Sequence, residues 1–164
     1  MPPPASQKDS SDFFWAGASW LLDATYRNGR VTITGGATGC FIGNELLPKA
    51  CAHVIQLSPG DNPSVTMDVK LGAAENYFMY PSHRTDPSGN IHLAFGLTAA
   101  DRFPEMRVTG RLDGGSQFQP SIRVKAGERA VPAPTGALAL GRWSDYLGSA
   151  VDPEYPDCVW HVAE

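Results

Sequence analysis

Tyr80-Pro-Ser-His-Arg-Thr-Asp86-Pro-Ser-Gly-Asn-Ile-His-Leu93 and Tyr146-Leu-Gly-Ser-Ala-Val-Asp152-Pro-Glu-Tyr-Pro-Asp-Cys-Val159-Trp160 follow one plan. Each runs from an aromatic residue through small ones to Asp-Pro, a short turn and then apolar residues. The two Asp-Pro pairs, at 86 and 152, set the period of a supersecondary unit used more than once. From the opening of one copy at Tyr80 to the opening of the next at Tyr146 there are four runs with strand character: His83 to Thr85, Ile91 to Phe95, Met106 to Leu112 and Ser121 to Lys125. Turn residues at Pro87 to Asn90, Ala100 to Pro104 and Asp113 to Ser116 separate these runs.

Upstream, Trp20 to Tyr26 and Arg30 to Thr34 are β-rich runs joined by Arg27-Asn28-Gly29. Asn-Gly supplies the positive φ angles of a type I′ turn, so the pair predicts a hairpin. Ala52 to Leu57 and Ser64 to Lys70, separated by Pro59-Gly-Asp-Asn-Pro63, predict a second. Gly29 and Gly89 take equivalent hairpin positions, which places a third, more diverged copy of the repeat near Trp20. No window holds a helical period over ten residues.

Four antiparallel strands per repeat correspond to one blade of a β-propeller. The expected organisation is a flexible N-terminal segment over 1–18, then an incomplete propeller over 19–164. Its blades fall near 20–72 and 78–127, with a half blade over 141–164 after a loop from Ala130 to Gly141. Propellers close with about four blades or more, so such a stack leaves the apolar face of a terminal blade in water. Completion of the ring by oligomerisation is therefore expected.

Composition agrees with an all-β domain. Hydrophobic residues make up 42% and charged ones 18%, as in an ordinary folded protein, while Gly 17 and Pro 14 are spread along the chain and imply frequent turns. The formal net charge of -4 argues against nucleic acid or an anionic membrane as partner. No apolar run is long enough to span a membrane. The opening stretch is polar and proline-rich, with neither the charged nor the apolar region of a secretory signal. Cys40 and Cys51 flank a loop containing Gly43, Asn44 and Pro48 and are the candidate disulfide, worth about 3 kcal/mol. Cys158, inside an apolar strand pattern, is expected to be a buried thiol.

Gly141-Arg142-Trp143-Ser144-Asp145-Tyr146-Leu-Gly-Ser-Ala-Val-Asp152-Pro153, followed by Val159-Trp160, resembles a segment of secreted bacterial propellers with sialidase-type BNR (Asp-box-like) repeats. Tyr80-Pro81-Ser82, Asp86 to Ile91, Phe103-Pro104 and Val108 to Leu112 resemble that family's preceding blade, and Lys125-Ala-Gly127 its link to the last segment. The likeness covers about residues 20 to 164 and is strongest from Tyr80 onward. Ser144 stands where the family has glycine, and His161 where an aliphatic or small residue is usual. The resemblance implies an extracellular or cell-envelope β-propeller.

Sialidases of this architecture combine an arginine triad, a tyrosine nucleophile with a glutamate, and an acidic aspartate. Arg84, Arg107, Arg111, Arg142, Tyr146 and Asp145 are the residues from which such a set would be drawn. The early Arg-Ile-Pro element is absent, and under half a ring cannot assemble a central site. No catalytic residues are therefore assigned. The candidate ligand-binding residues are Arg142, Trp143, Asp145, Tyr146 and Arg84, for a glycan or protein ligand.

Asp86 and Asp152 are expected to lock their turns by accepting backbone N–H bonds. His53, His83, His92 and His161 lack the spacing of a zinc site, and no phosphate loop or nucleophile elbow is present, so neither metal nor cofactor is expected. Phe13, Phe14, Trp15 and Trp20 are expected to cover a blade edge or a neighbouring subunit. Trp143 and Trp160 are expected to pack in the core. The functional expectation is a non-enzymatic, self-associating binding module, the alternative being a sialidase-like glycoside hydrolase completed by oligomerisation.

Overall fold

Asn28 at φ 52° and Gly29 at φ 73° form the tight turn between β1 (Leu21–Arg27) and β2 (Arg30–Cys40). Both central residues are left-handed, the backbone a type I′ hairpin requires, and Arg27 pairs with Arg30 across it. In the computed structural model, which describes residues 4–13, 15–134, 140–143 and 145–163, β3 (Lys49–Ser58) and β4 (Ser64–Leu71) extend this hairpin into a four-stranded antiparallel sheet. A second such sheet follows from β5 (Asn76–Thr85), β6 (Ile91–Ala99), β7 (Arg102–Arg111) and β8 (Ile122–Lys125). A two-stranded hairpin, β9 (Gly148–Val151) with β10 (Val159–Val162), completes the described elements. The protein is all-β, with no helix among the described residues and no sheet closed on itself. Phe14, Ser144 and residues 135–139 of the expected 130–141 loop lie outside the described residues.

The three units stack face to face. Strand β5 lies against β1, β2 and β3, and β9 lies against β5. Alternation along the strands sets the faces. From the first sheet Ala52, Val54 and Met67 meet Phe78, Ile91, Leu93, Phe95 and Leu97 of the second in one buried cluster. Phe78 and Phe95 stack with centroids 4.6 Å apart. A second buried cluster gathers Tyr77, Met79 and Tyr80 of β5 with Ala5 and Ala16 of the N-terminal segment and Ala50 of β3, with Trp143 and Leu147 alongside.

Strand β5 begins at Asn76, well before His83, where the sequence pattern places it. Sandwiched between two units, it is buried on both faces and shows no alternation, and Pro81 reads as a breaker. The proline is tolerated because β5 pairs on one side only and bulges between Met79 and Ser82. Strand β7 likewise begins at Arg102, inside the expected Ala100 to Pro104 turn. Pro104 sits in it beside the β6–β7 register shift.

The expectation of a flexible lead-in over 1–18 does not describe the residues seen there. Ala5 and Gln7 are buried, and the Gln7 amide donates to Asp12 O and Val131 O while accepting from Val131 N. Trp15 N donates to Gly141 O at 2.9 Å, so this segment ties the C-terminal unit to the second sheet. Polar composition hid this because its partners are backbone groups distant in sequence.

The Asp-Pro turns are built as locks. Asp86 accepts from Asn90 N and Nδ2, both at 2.8 Å, and from His92 Nε2 at 3.1 Å. Burial would raise its pKa, but these bonds outweigh that and hold it below the usual carboxylate value. Asp152 accepts from Tyr155 N, Trp160 Nε1 and Glu154 N, which lower its pKa in turn.

Cys40 and Cys51 are joined as a disulfide across the β2–β3 connection, with Cα atoms 6.3 Å apart. Cys158 is exposed rather than buried, because it ends the Asp152 turn ahead of β10. Trp160 is 65% exposed and is not a core residue; its side chain points away from the second sheet.

Candidate functional site

Two polar clusters meet the second sheet on the face that receives the β9–β10 hairpin. The first runs across three units. Ser82 Oγ of β5 donates to Asp23 Oδ2 of β1 at 3.0 Å, His83 N donates to the same oxygen at 3.2 Å, and Arg84 Nη1 at 2.7 Å. Ser82 Oγ also contacts Ser149 Oγ of β9 at 2.9 Å, and Ser149 Oγ contacts His161 Nδ1 of β10 at 2.7 Å.

An ionised carboxylate only accepts, so the Ser82 proton is committed to Asp23. Ser149 must then donate to Ser82, and His161 Nδ1–H to Ser149. The result is a directional line, from imidazole through two hydroxyls to a carboxylate, that leaves His161 Nε2 as an acceptor. The Ser149 proton points away from the imidazole, so this pair is not arranged as nucleophile and base.

His83 is fully buried beside this line, its Nε2 2.8 Å from Thr25 Oγ1 and its Nδ1 3.0 Å from Thr34 Oγ1. Burial, opposed by Asp23 and aided by Arg84, lowers its pKa to about 4. Although its Nδ1 stands 3.9 Å from Asp23 Oδ2, a neutral ring makes this a polar contact and not an ion pair. His161 is likewise held at about 4 by burial, His92 and Arg84. Asp23 lies below the ordinary value: burial opposes ionisation, and the His83 N–H, Ser82 and Arg84 outweigh it.

The second cluster centres on Tyr80, which adopts φ 48° in the β5 bulge. Its hydroxyl donates to Asp145 Oδ1 at 3.2 Å and to Trp15 O at 3.3 Å. Burial first, and the Asp145 carboxylate second, push that hydroxyl well above its usual pKa. Arg142 grips Asp145 Oδ2 through Nε at 2.8 Å and Nη2 at 2.5 Å and lies over the Trp15 ring at 5.1 Å. Trp15 in turn meets Trp20 edge-on at 5.5 Å.

The residues singled out by sequence are thus divided. Arg142 and Asp145 form one ion pair, and Arg84 belongs to the Asp23 cluster. Tyr146 is 86% exposed. Trp143 packs on Met79 and Gly96, and lines a cavity of about 380 Å³ with Glu105, Met106, Lys125 and the 126–132 loop. Arg84 and Arg142 are each paired with a carboxylate and Arg107 with Glu105, so they do not form a free arginine triad. Among the described residues, no group of three or more His, Cys, Asp or Glu side chains is placed to hold a metal ion. No helix there is long and apolar enough to cross a membrane.

Sequence reasoning missed Asp23, Thr25, Thr34 and Ser149 because nothing local marks them. The available signal was the repeat itself: Ser82 and Ser149 both follow the aromatic that opens their copies, and the stacked first strands bring them together. A Cβ on Gly96 would lie 2.7 Å from Trp143 Cζ3. Gly96→Ala is therefore expected to cost about 1–3 kcal/mol through overpacking, read from the denaturant midpoint; an unshifted midpoint would show that Trp143 yields freely.

Comparison of the chain with protein-family models, with curated proteins and with solved structures gives no match.

Proposed function

We propose that the sheets are consecutive β-propeller blades of the sialidase-type BNR kind, and that the chain is a non-enzymatic binding and assembly module that associates with itself. Three features support the blade reading: the strand order within each four-stranded sheet is sequential, consecutive units stack face to face, and the first strands β1, β5 and β9 are neighbours.

The observation that carries self-association is the outer face of the first sheet. Tyr26 is 69% exposed there, and Val31, Ile33, Ile55 and Leu57 are only half-buried on the same side. Contiguous apolar surface of this kind marks an interaction site. The Arg142–Asp145 pair beside Trp15 and Trp20, with Trp143 and Tyr146 near it in sequence, is the surface assigned to a glycan or protein ligand. An extracellular or cell-envelope location fits the Cys40–Cys51 disulfide.

Mass measured in solution by light scattering over a concentration series tests the reading. An oligomer larger than the 17.6 kDa chain is expected, and a strictly monomeric protein at all concentrations would defeat it. The glycosidase alternative requires a completed ring and is tested by hydrolysis of a fluorogenic sialoside by the oligomer.

A further inference from the structure

We infer that the outer face of the first sheet seats the outer face of the β9–β10 hairpin of a second copy, so that chains join head to tail. This inference rests on the assembly reading above and names the surfaces that meet.

The chain applies one packing rule twice. The first sheet turns Asp23, Thr25, Thr32, Thr34 and Val54 toward the second, which answers with Phe78, His83, Leu93 and Phe95. The second sheet turns Met79, Ser82 and Gly96 the other way, and the hairpin side carrying Ser149 and His161 meets that face. In each junction, the leading face of a later unit covers the trailing face of the one before it.

Two faces are left over, and they are of opposite kind. The uncovered face of the first sheet is a leading face, where Ala24 pairs with Ile33 and Tyr26 with Val31 on β1 and β2. The uncovered face of the hairpin is a trailing face: Ala150, Trp160 and Val162 alternate with the covered Ser149 and His161. Trp160 and Val162 are 65% and 70% exposed.

A second copy is the occupant that extends the existing rule, because its first sheet presents a leading face of matching composition. Two strands of hairpin match the two strands β1 and β2, and three apolar side chains face Ala24, Tyr26, Val31 and Ile33. The His53–Asp68 pair on β3 and β4 forms a polar margin beside them. A contact between unlike faces is heterologous, so it propagates to a ring or an open chain. A self-complementary pairing of two first sheets would stop at a dimer.

Tyr26→Asp disables the head and Val162→Asp the tail, with Ala24→Glu and Ala150→Glu as second variants at exposed positions, and thermal melts establish that each is folded. Each variant alone is expected to fall to the single-chain mass by light scattering. An equimolar mixture of one head and one tail variant retains one intact pair of faces, and is expected to recover a species of twice that mass and no larger.

Retention of the wild-type mass by folded tail variants would overturn the head-to-tail arrangement while leaving self-association standing. So would mixtures that stay at the single-chain mass. A wild-type protein that is monomeric throughout would remove both.

Discussion

Phe95→Ala is expected to lower the unfolding free energy by about 3–5 kcal/mol. Phe95 is 1% exposed and sits in the middle strand pair of the second sheet, on the face turned toward the first. Its ring stacks on Phe78 with an interplanar angle of 19°. It joins Leu93, Leu97, Val54 and Met67 in the cluster that holds the two sheets together.

Truncation removes the transfer free energy of a buried ring and leaves a cavity that strands fixed by their ladders collapse into poorly. Offset aromatic stacking adds about 0.5–1.5 kcal/mol to the term lost. Since a small domain has only about 5–15 kcal/mol of net stability, the variant would unfold at a much lower denaturant concentration. Urea titration followed by tryptophan fluorescence reads the change. A loss below about 1 kcal/mol would mean that the inter-sheet cluster is not what binds the sheets.

Acidification is expected to have an effect of similar size. His83 and His161 titrate at about 4 in the folded chain, whereas an unfolded histidine titrates near 6.5. Between those values the unfolded state binds more protons, so stability falls as pH drops from about 6.5 toward 4 and is at its full value above 6.5. One pKa unit is worth about 1.4 kcal/mol, so the fully buried His83 accounts for at most about 3 kcal/mol over that window, and the partly exposed His161, screened by solvent, for less.

Asp23, whose folded pKa is lowered, acts in the same direction at still lower pH: its contribution is lost as protonation of the folded carboxylate sets in. Denaturant midpoints at pH 7, 5.5 and 4 measure the loss. His161→Asn keeps a donor near the Nδ1 position but removes the titration, and is expected to flatten part of the slope. A midpoint that does not change between pH 7 and 4 would show that neither ring is held neutral by its surroundings.

The legible parts of the fold were those encoded by neighbours in sequence. Asn28-Gly29 specifies its turn through φ alone, and Asp86 and Asp152 bond to amides within four residues, so both features can be read from short windows. Strand β5 resisted reading because burial on both faces erases alternation, and because the bulge at Tyr80 and Pro81 presents a breaker in mid-strand. Trp160 misled for a different reason: an aromatic in a strand has two faces to choose between, and the hairpin register turned it outward.

The candidate site was legible only in pieces. Arg142 and Asp145, three residues apart, were read together and are found together. Their aromatic partners Trp15 and Tyr80 come from segments far away in sequence. The Asp23, Ser82, Ser149 and His161 line draws its four members from three units, and the repeat relates only Ser82 and Ser149.

Sequence by itself determined the turn chemistry and the all-β character, because both depend on torsion preferences and hydrogen bonds spanning a few residues. Tertiary structure decided which strand faces meet, that the N-terminal segment is packed, and where hydroxyl, imidazole and carboxylate fall into one line. Those outcomes depend on stacking whole sheets, and a buried contact between sheets leaves no mark on either partner's local pattern.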